Sequence, residues 1–79
     1  MKLKDVKHQQ GYEFLTTFAN GEVVIVDLSE LISNHVKLNE AKTAHVNEEW
    51  GCLEFNNGKV DIEPKTLYNY TKSHSTQVH

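Results

Sequence analysis

Two Asn-Gly pairs, Asn20-Gly21 and Asn57-Gly58, each stand between runs of β-branched and aromatic residues, and this arrangement limits the folds open to the chain. Asn-Gly is suited to the left-handed φ values that tight hairpin turns demand. The first pair separates Tyr12-Glu13-Phe14-Leu15-Thr16-Thr17-Phe18 from Glu22-Val23-Val24-Ile25-Val26-Asp27-Leu28. A two-residue turn would set Phe18 opposite Val23 and align Tyr12, Phe14 and Ile25 with the acidic Asp27. A three-residue loop, Ala19-Asn20-Gly21 with Gly21 left-handed, instead sets Thr16 opposite Val24, Phe14 opposite Val26 and Tyr12 opposite Leu28. That register gathers one almost wholly apolar face, and a slip of one residue would scatter it. The bulged loop is therefore expected. The other face then carries Leu15, Val23 and Ile25 among Glu13, Thr17 and Asp27, which is too apolar for open surface, so some cover is expected over it.

The second hairpin reads Gly51-Cys52-Leu53-Glu54-Phe55-Asn56, turns at Asn57-Gly58 and returns through Lys59-Val60-Asp61-Ile62. A two-residue turn pairs Leu53 with Ile62 and Phe55 with Val60 on a core face, and leaves Glu54 and Asp61 on a polar face with Cys52 and Glu63. Leu3 to His8 reads as a first strand. Ser29 is placed to cap a helical turn over Glu30 to Ser33, and Asn39 one through Lys42. Ala44 to Glu48 reads as a short strand, and Pro64 suits the first position of a final helix holding Leu67 and Tyr68. The fold class is α+β: a small antiparallel sheet of two β-hairpins plus a short N-terminal strand, with two or three short helices. Residues 1–70 form the single domain, and 71–79 are read as a polar, disordered tail.

At 79 residues there is room for one core. A chain of this size buries only about 60 to 65% of its unfolded surface, and small secreted domains usually add disulfides. Cys52 is the one cysteine, so no internal disulfide forms, which points to a reducing, cytoplasmic setting. No signal-like or membrane-length apolar run occurs. A formal charge of −3 gives no general attraction to phosphate backbones or anionic lipid, so neither direct nucleic-acid binding nor membrane association is expected.

Several stretches resemble successive blocks of the bacterial domain-of-unknown-function family 2442: Phe18-Ala19-Asn20-Gly21-Glu22, Val26-Asp27-Leu28-Ser29-Glu30-Leu31, Glu49-Trp50-Gly51-Cys52-Leu53-Glu54-Phe55, Asn57-Gly58 and Asp61-Ile62-Glu63-Pro64-Lys65-Thr66-Leu67-Tyr68. The resemblance covers Val6 to Tyr68. It implies a small α+β domain, found alone or joined to a helix-turn-helix, and encoded in what look like toxin-antitoxin pairs. It implies no active site.

The side chains that carry chemistry elsewhere have plain structural readings here. Cys52 and His45 form a poor nucleophile and base, because Glu54, Asp61 and Glu63 beside the thiol would raise its pKa. His8, His35, His45, His74 and His79 lack zinc-type spacing, and the glycines are too dispersed for a phosphate cradle. Glu54 and Asp61 read as solubilising charge rather than as an acid and base pair. No catalytic, metal-binding or cofactor-binding residue is assigned, and no enzymatic activity is expected. Trp50 fits core packing better than a partner contact, yet tryptophan is enriched at binding hot spots. The candidate interface residues are Leu15, Val23, Ile25 and Trp50. The leading expectation is a non-enzymatic protein-interaction module, antitoxin-like or a regulatory subunit, forming a homodimer or binding a small protein partner. The alternative is an accessory domain of a DNA-linked regulator acting through a partner, since the chain has no recognition helix of its own.

Overall fold

The structure is a computed structural model that describes the backbone of residues 1–78 and the side chains of residues 1–74. Ten elements follow in order: strands β1 (Leu3–Gln10), β2 (Glu13–Phe18) and β3 (Val23–Asp27), helix α1 (Ser29–Ile32), a 3-10 helix (Leu38–Thr43), strands β4 (His45–Val46), β5 (Leu53–Phe55) and β6 (Val60–Ile62), helix α2 (Pro64–His74) and strand β7 (Ser75–Val78). The architecture is α+β and antiparallel. The two hairpins head separate sheets, one ordered β1-β2-β3-β7 and the other β4-β5-β6.

The first hairpin has the bulged register. Phe14 pairs with Val26, Thr16 with Val24 and Leu15 with Ile25, and Gly21 takes φ +90°. The Gly21 amide donates to Phe18 O and the Phe18 amide to Glu22 O, which closes the three-residue loop. The apolar face it creates, with Phe14, Phe18, Val24 and Val26, is buried against Leu53 and Phe55 of the second sheet, Ile32 of α1 and Leu67 of α2. Phe14 and Phe55 meet edge to face at 5.7 Å. Thr16 sits in this core, and its hydroxyl donates to Val24 O across the ladder at 2.9 Å, so its burial leaves no polar atom unpaired.

The second hairpin has the expected pairs, Leu53 with Ile62 and Phe55 with Val60. Its turn is wider than the sequence suggests. Asn56 as well as Asn57 and Gly58 has positive φ, and amide bonds from Gly58 to Phe55 O and from Lys59 to Asn56 O stack two left-handed turns over residues 55–59. The Asn56 amide is thereby freed to take Thr43 Oγ1, which ties the turn to the 3-10 helix.

Local capping departs from the expected positions, by one residue at α1 and by two at the 3-10 helix, whose N-cap is Lys37 and not Asn39. Helix α1 begins at Ser29, and it is Asp27 Oδ1 that accepts the Ser29 amide proton. That bond holds the Asp27 carboxyl below its usual range. Helix α2 begins at Pro64 as expected but runs on through His74, because Thr71 is buried against the core and donates to Tyr68 O. Ser75–Val78 then pairs antiparallel with β3. The segment expected as a disordered tail from Thr71 is thus helix and strand up to Val78, while His79 lies outside the described residues.

A three-residue clamp fixes α2 to the first hairpin. Lys72 Nζ and the Tyr68 hydroxyl both donate to the Glu22 carboxylate, and the Tyr68 ring packs edge-on against Phe18. The Lys72 and Tyr68 bonds lower the Glu22 pKa from 4.5 to about 2. A depressed carboxyl stabilises the fold above its unfolded pKa and loses that contribution as pH falls through the folded value. The stability difference between wild type and Glu22→Gln is therefore expected to be constant at neutral pH and to shrink between pH 4.5 and about 2. Urea titrations of both proteins across that window check it, and a difference that does not change with pH would contradict the clamp.

Candidate functional site

Six residues, Asn47-Glu48-Glu49-Trp50-Gly51-Cys52, join β4 to β5, and one side chain organises them. Asn47 Oδ1 accepts the amides of Glu49 and Trp50, both at 3.0 Å. Its Nδ2 donates to Glu54 Oε2, its own amide donates to Cys52 O, and its carbonyl accepts the Gly51 amide. Asparagine supplies such a turn because its short side chain reproduces the hydrogen bonds of a backbone unit. Gly51 closes the loop at φ +72°, with Lys2 so near that a Cβ on Gly51 would lie 2.5 Å from Lys2 Cβ. Gly51 O in turn accepts the Leu3 amide, and Lys2 Nζ donates to Glu49 O.

This fixed loop holds Trp50 out of the core. The indole is 63% exposed, where core packing is the reading the sequence favours. The reason is geometric: Leu53 and Phe55 fill the face of β5 that meets the first sheet, and Gly51 turns the chain before Trp50 can reach it. Trp50 instead forms one wall of a surface groove of about 440 Å³ with Met1, Cys52, Pro64 and the charged Lys2, Glu63 and Lys65. Met1 is also exposed, so two large apolar side chains stand together in water.

The other three candidate residues lie together elsewhere. Leu15 and Ile25 are paired across β2 and β3, Val23 is one step along the same face, and all three are half-buried. None belongs to the core cluster or packs against it. The apolar side chains of α1 and α2, Leu31, Ile32, Leu67, Tyr68 and Tyr70, all pack with the core on the opposite face of the sheet. Among the described residues no apolar side chain of α1 or α2 covers Leu15 and Ile25, because the helices are taken up by the Phe14 face.

Cys52 and His45 are engaged separately. His45 Nε2 lies 2.9 Å from Glu54 Oε1, and His45 Nδ1 faces Thr43 O. Cys52 is half-buried, and burial followed by the charges of Asp61, Glu54 and Glu63 pushes its thiol up. A thiol so placed is a weak nucleophile at neutral pH. Among the described residues no three His, Cys, Asp or Glu side chains gather to hold a metal ion, and no helix is long and apolar enough to cross a membrane. The residue that sequence reasoning passes over is Asn47. Its signal was present, an Asn followed four residues later by a Gly that stops the turn.

The chain belongs to the family described as protein of unknown function (DUF2442), which matches residues 3–73. That span takes in both hairpins, the Asn47–Gly51 loop and nearly all of α2. No curated protein and no solved structure matches it.

Proposed function

We propose that the chain is a non-enzymatic protein-interaction module, a regulatory or antitoxin-like subunit of the cytoplasm, that docks a partner chain through Trp50 and the Leu15, Val23 and Ile25 stripe. The observation that carries this reading is the combination at Trp50 of high exposure with a fixed backbone. An exposed indole on a loose loop would be unremarkable, since scattered surface apolar residues are normal. An indole held out by an Asn-centred turn has little order left to lose on binding, which is what preorganised contacts exploit. Burying it against a partner is worth about 2 to 4 kcal/mol. The stripe adds half-buried Leu15, Val23 and Ile25. The single cysteine, without a disulfide partner, supports a reducing compartment.

Capture of the tagged chain from its own host tests the reading. Wild type is expected to bring down a stoichiometric companion polypeptide. Trp50→Ala is expected to weaken that capture by about thirtyfold or more, the effect of losing a hot spot of about 2 kcal/mol. Ile25→Lys should weaken it as well, with far-UV circular dichroism unchanged in both variants. Trp50 is the one tryptophan, so its emission is expected to move to shorter wavelength in the complex. Equal capture by all three proteins would overturn the assignment.

A further inference from the structure

Strand β3 has two neighbours that are tied to it in different ways. On one side β2 is joined to it by a closed three-residue loop and shares with it the buried Phe14, Phe18, Val24 and Val26 side chains. On the other side β7 supplies only Ser75-Thr76-Gln77-Val78, three of its four residues polar, in a register from Val23 opposite Val78 to Val26 opposite Ser75. The helix before β7 is fastened independently, through Tyr68 on Phe18, the Glu22 clamp and buried Thr71. Release of β7 therefore leaves α2 in place. What it uncovers is the edge of Val23-Val24-Ile25-Val26, and an apolar open edge is a template for pairing with another strand.

We propose that Ser75–Val78 is a releasable strap over this edge, and that the strand which takes its place is β3 of a second copy of the chain. The sequence of β3 favours itself as partner. Antiparallel pairing centred on Val24 sets Val23 opposite Ile25 and Val24 opposite Val24; centred on Ile25 it sets Val24 opposite Val26. Both registers keep the two sheet faces intact, Val24 and Val26 on the core side and Val23 and Ile25 on the open side. In neither does a carboxylate face another, since Glu22 meets Val26 or Leu28. Val and Ile also suit a strand position better than Ser and Gln. The product is a continuous sheet in which the Leu15 and Ile25 stripe runs across the two-fold axis into its copy. The strap competes through proximity: tethered to α2, it is present at high effective concentration and holds the edge in dilute solution.

Sedimentation velocity of the full chain over a concentration series reads this directly. Adjacent strand residues point their amides to opposite sides, so one of Thr76 and Gln77 must face β3. The double variant Thr76→Pro, Gln77→Pro removes that donor whichever it is. It is expected to self-associate about tenfold more tightly than wild type or better. The reverse variant pins the strap, with Val23→Cys and Val78→Cys in a Cys52→Ser background. Oxidised, it is expected to stay monomeric at every concentration, and reduction should restore association. The inference is overturned if the proline variant keeps its circular dichroism and sediments as wild type does, or if the oxidised chain associates as strongly as the reduced one. Should the proline variant lose its fold, a reduced dithiol chain that never self-associates overturns it equally.

Discussion

Phe14→Ala is expected to remove a large share of the stability of the chain. Phe14 is fully buried on β2 and is the ring that meets Phe55 of the second sheet, at 5.7 Å and an interplanar angle of 71°. Truncating a buried phenylalanine costs about 3 to 5 kcal/mol, and the lost edge-to-face pair belongs to that cost. At about 0.05 to 0.15 kcal/mol per residue, a chain of this length has roughly 4 to 12 kcal/mol in total. The substitution therefore removes between a quarter and all of the stability, and the melting temperature should fall by about 12 °C or more. Phe14→Leu keeps most of the apolar volume and loses the aromatic pair, so it should melt between the two. An alanine variant that melts within a few degrees of wild type would mean that the two sheets are not joined through this contact.

The parts of the fold that could be read in advance are those governed by parity. In the first hairpin only one register puts Phe14, Phe18, Val24 and Val26 on one side, and that is the register adopted. In the second, Leu53 with Ile62 and Phe55 with Val60 follow from the same rule. Parity does not say which sheet a hairpin joins, so the division into two sheets is decided by long-range packing such as Phe14 on Phe55. Strand β7 was invisible for a related reason. Ser-Thr-Gln-Val carries no alternation of its own, and what makes it a strand is the unpaired side of β3. Nor does parity decide how far a helix runs, and Thr71 extends α2 because a buried site awaits it on the sheet. Of the candidate interface, the open stripe of Leu15, Val23 and Ile25 was legible from the hairpin register, since the opposite face had first claim on the helices. The exposure of Trp50 was not, because composition favours a buried tryptophan and only the turn made by Asn47 and Gly51 turns it outward.

Gly51→Ala should be the most damaging substitution outside the core, and it joins stability to the candidate site. Gly51 has φ +72°, where a side chain costs about 1 to 3 kcal/mol in backbone strain alone. The added Cβ also lies 2.5 Å from Lys2 Cβ and 3.0 Å from Lys2 Cα. A flexible side-chain tip could swing aside, but Lys2 Cα is backbone and Lys2 Cβ is fixed to it, and that backbone is held on both sides. Lys2 O accepts the Ala19 amide at 2.9 Å, and the next residue, Leu3, donates to Gly51 O at 3.0 Å. Relief therefore requires the start of β1 to part from the loop or from the first hairpin. Gly11→Ala is the matched control: φ is +55° there, and no atom lies within 4 Å of its Cβ position. It carries the strain without the collision, so Gly51→Ala should lower the melting temperature by about twice as much or more. The same variant should disturb Trp50, one residue away, whose solitary indole reports the loop by its emission and by quenching with iodide. Equal melting of the two alanine variants would show that β1 yields to Gly51 at no cost. The Asn47 turn would then have no rigid footing from which to present Trp50.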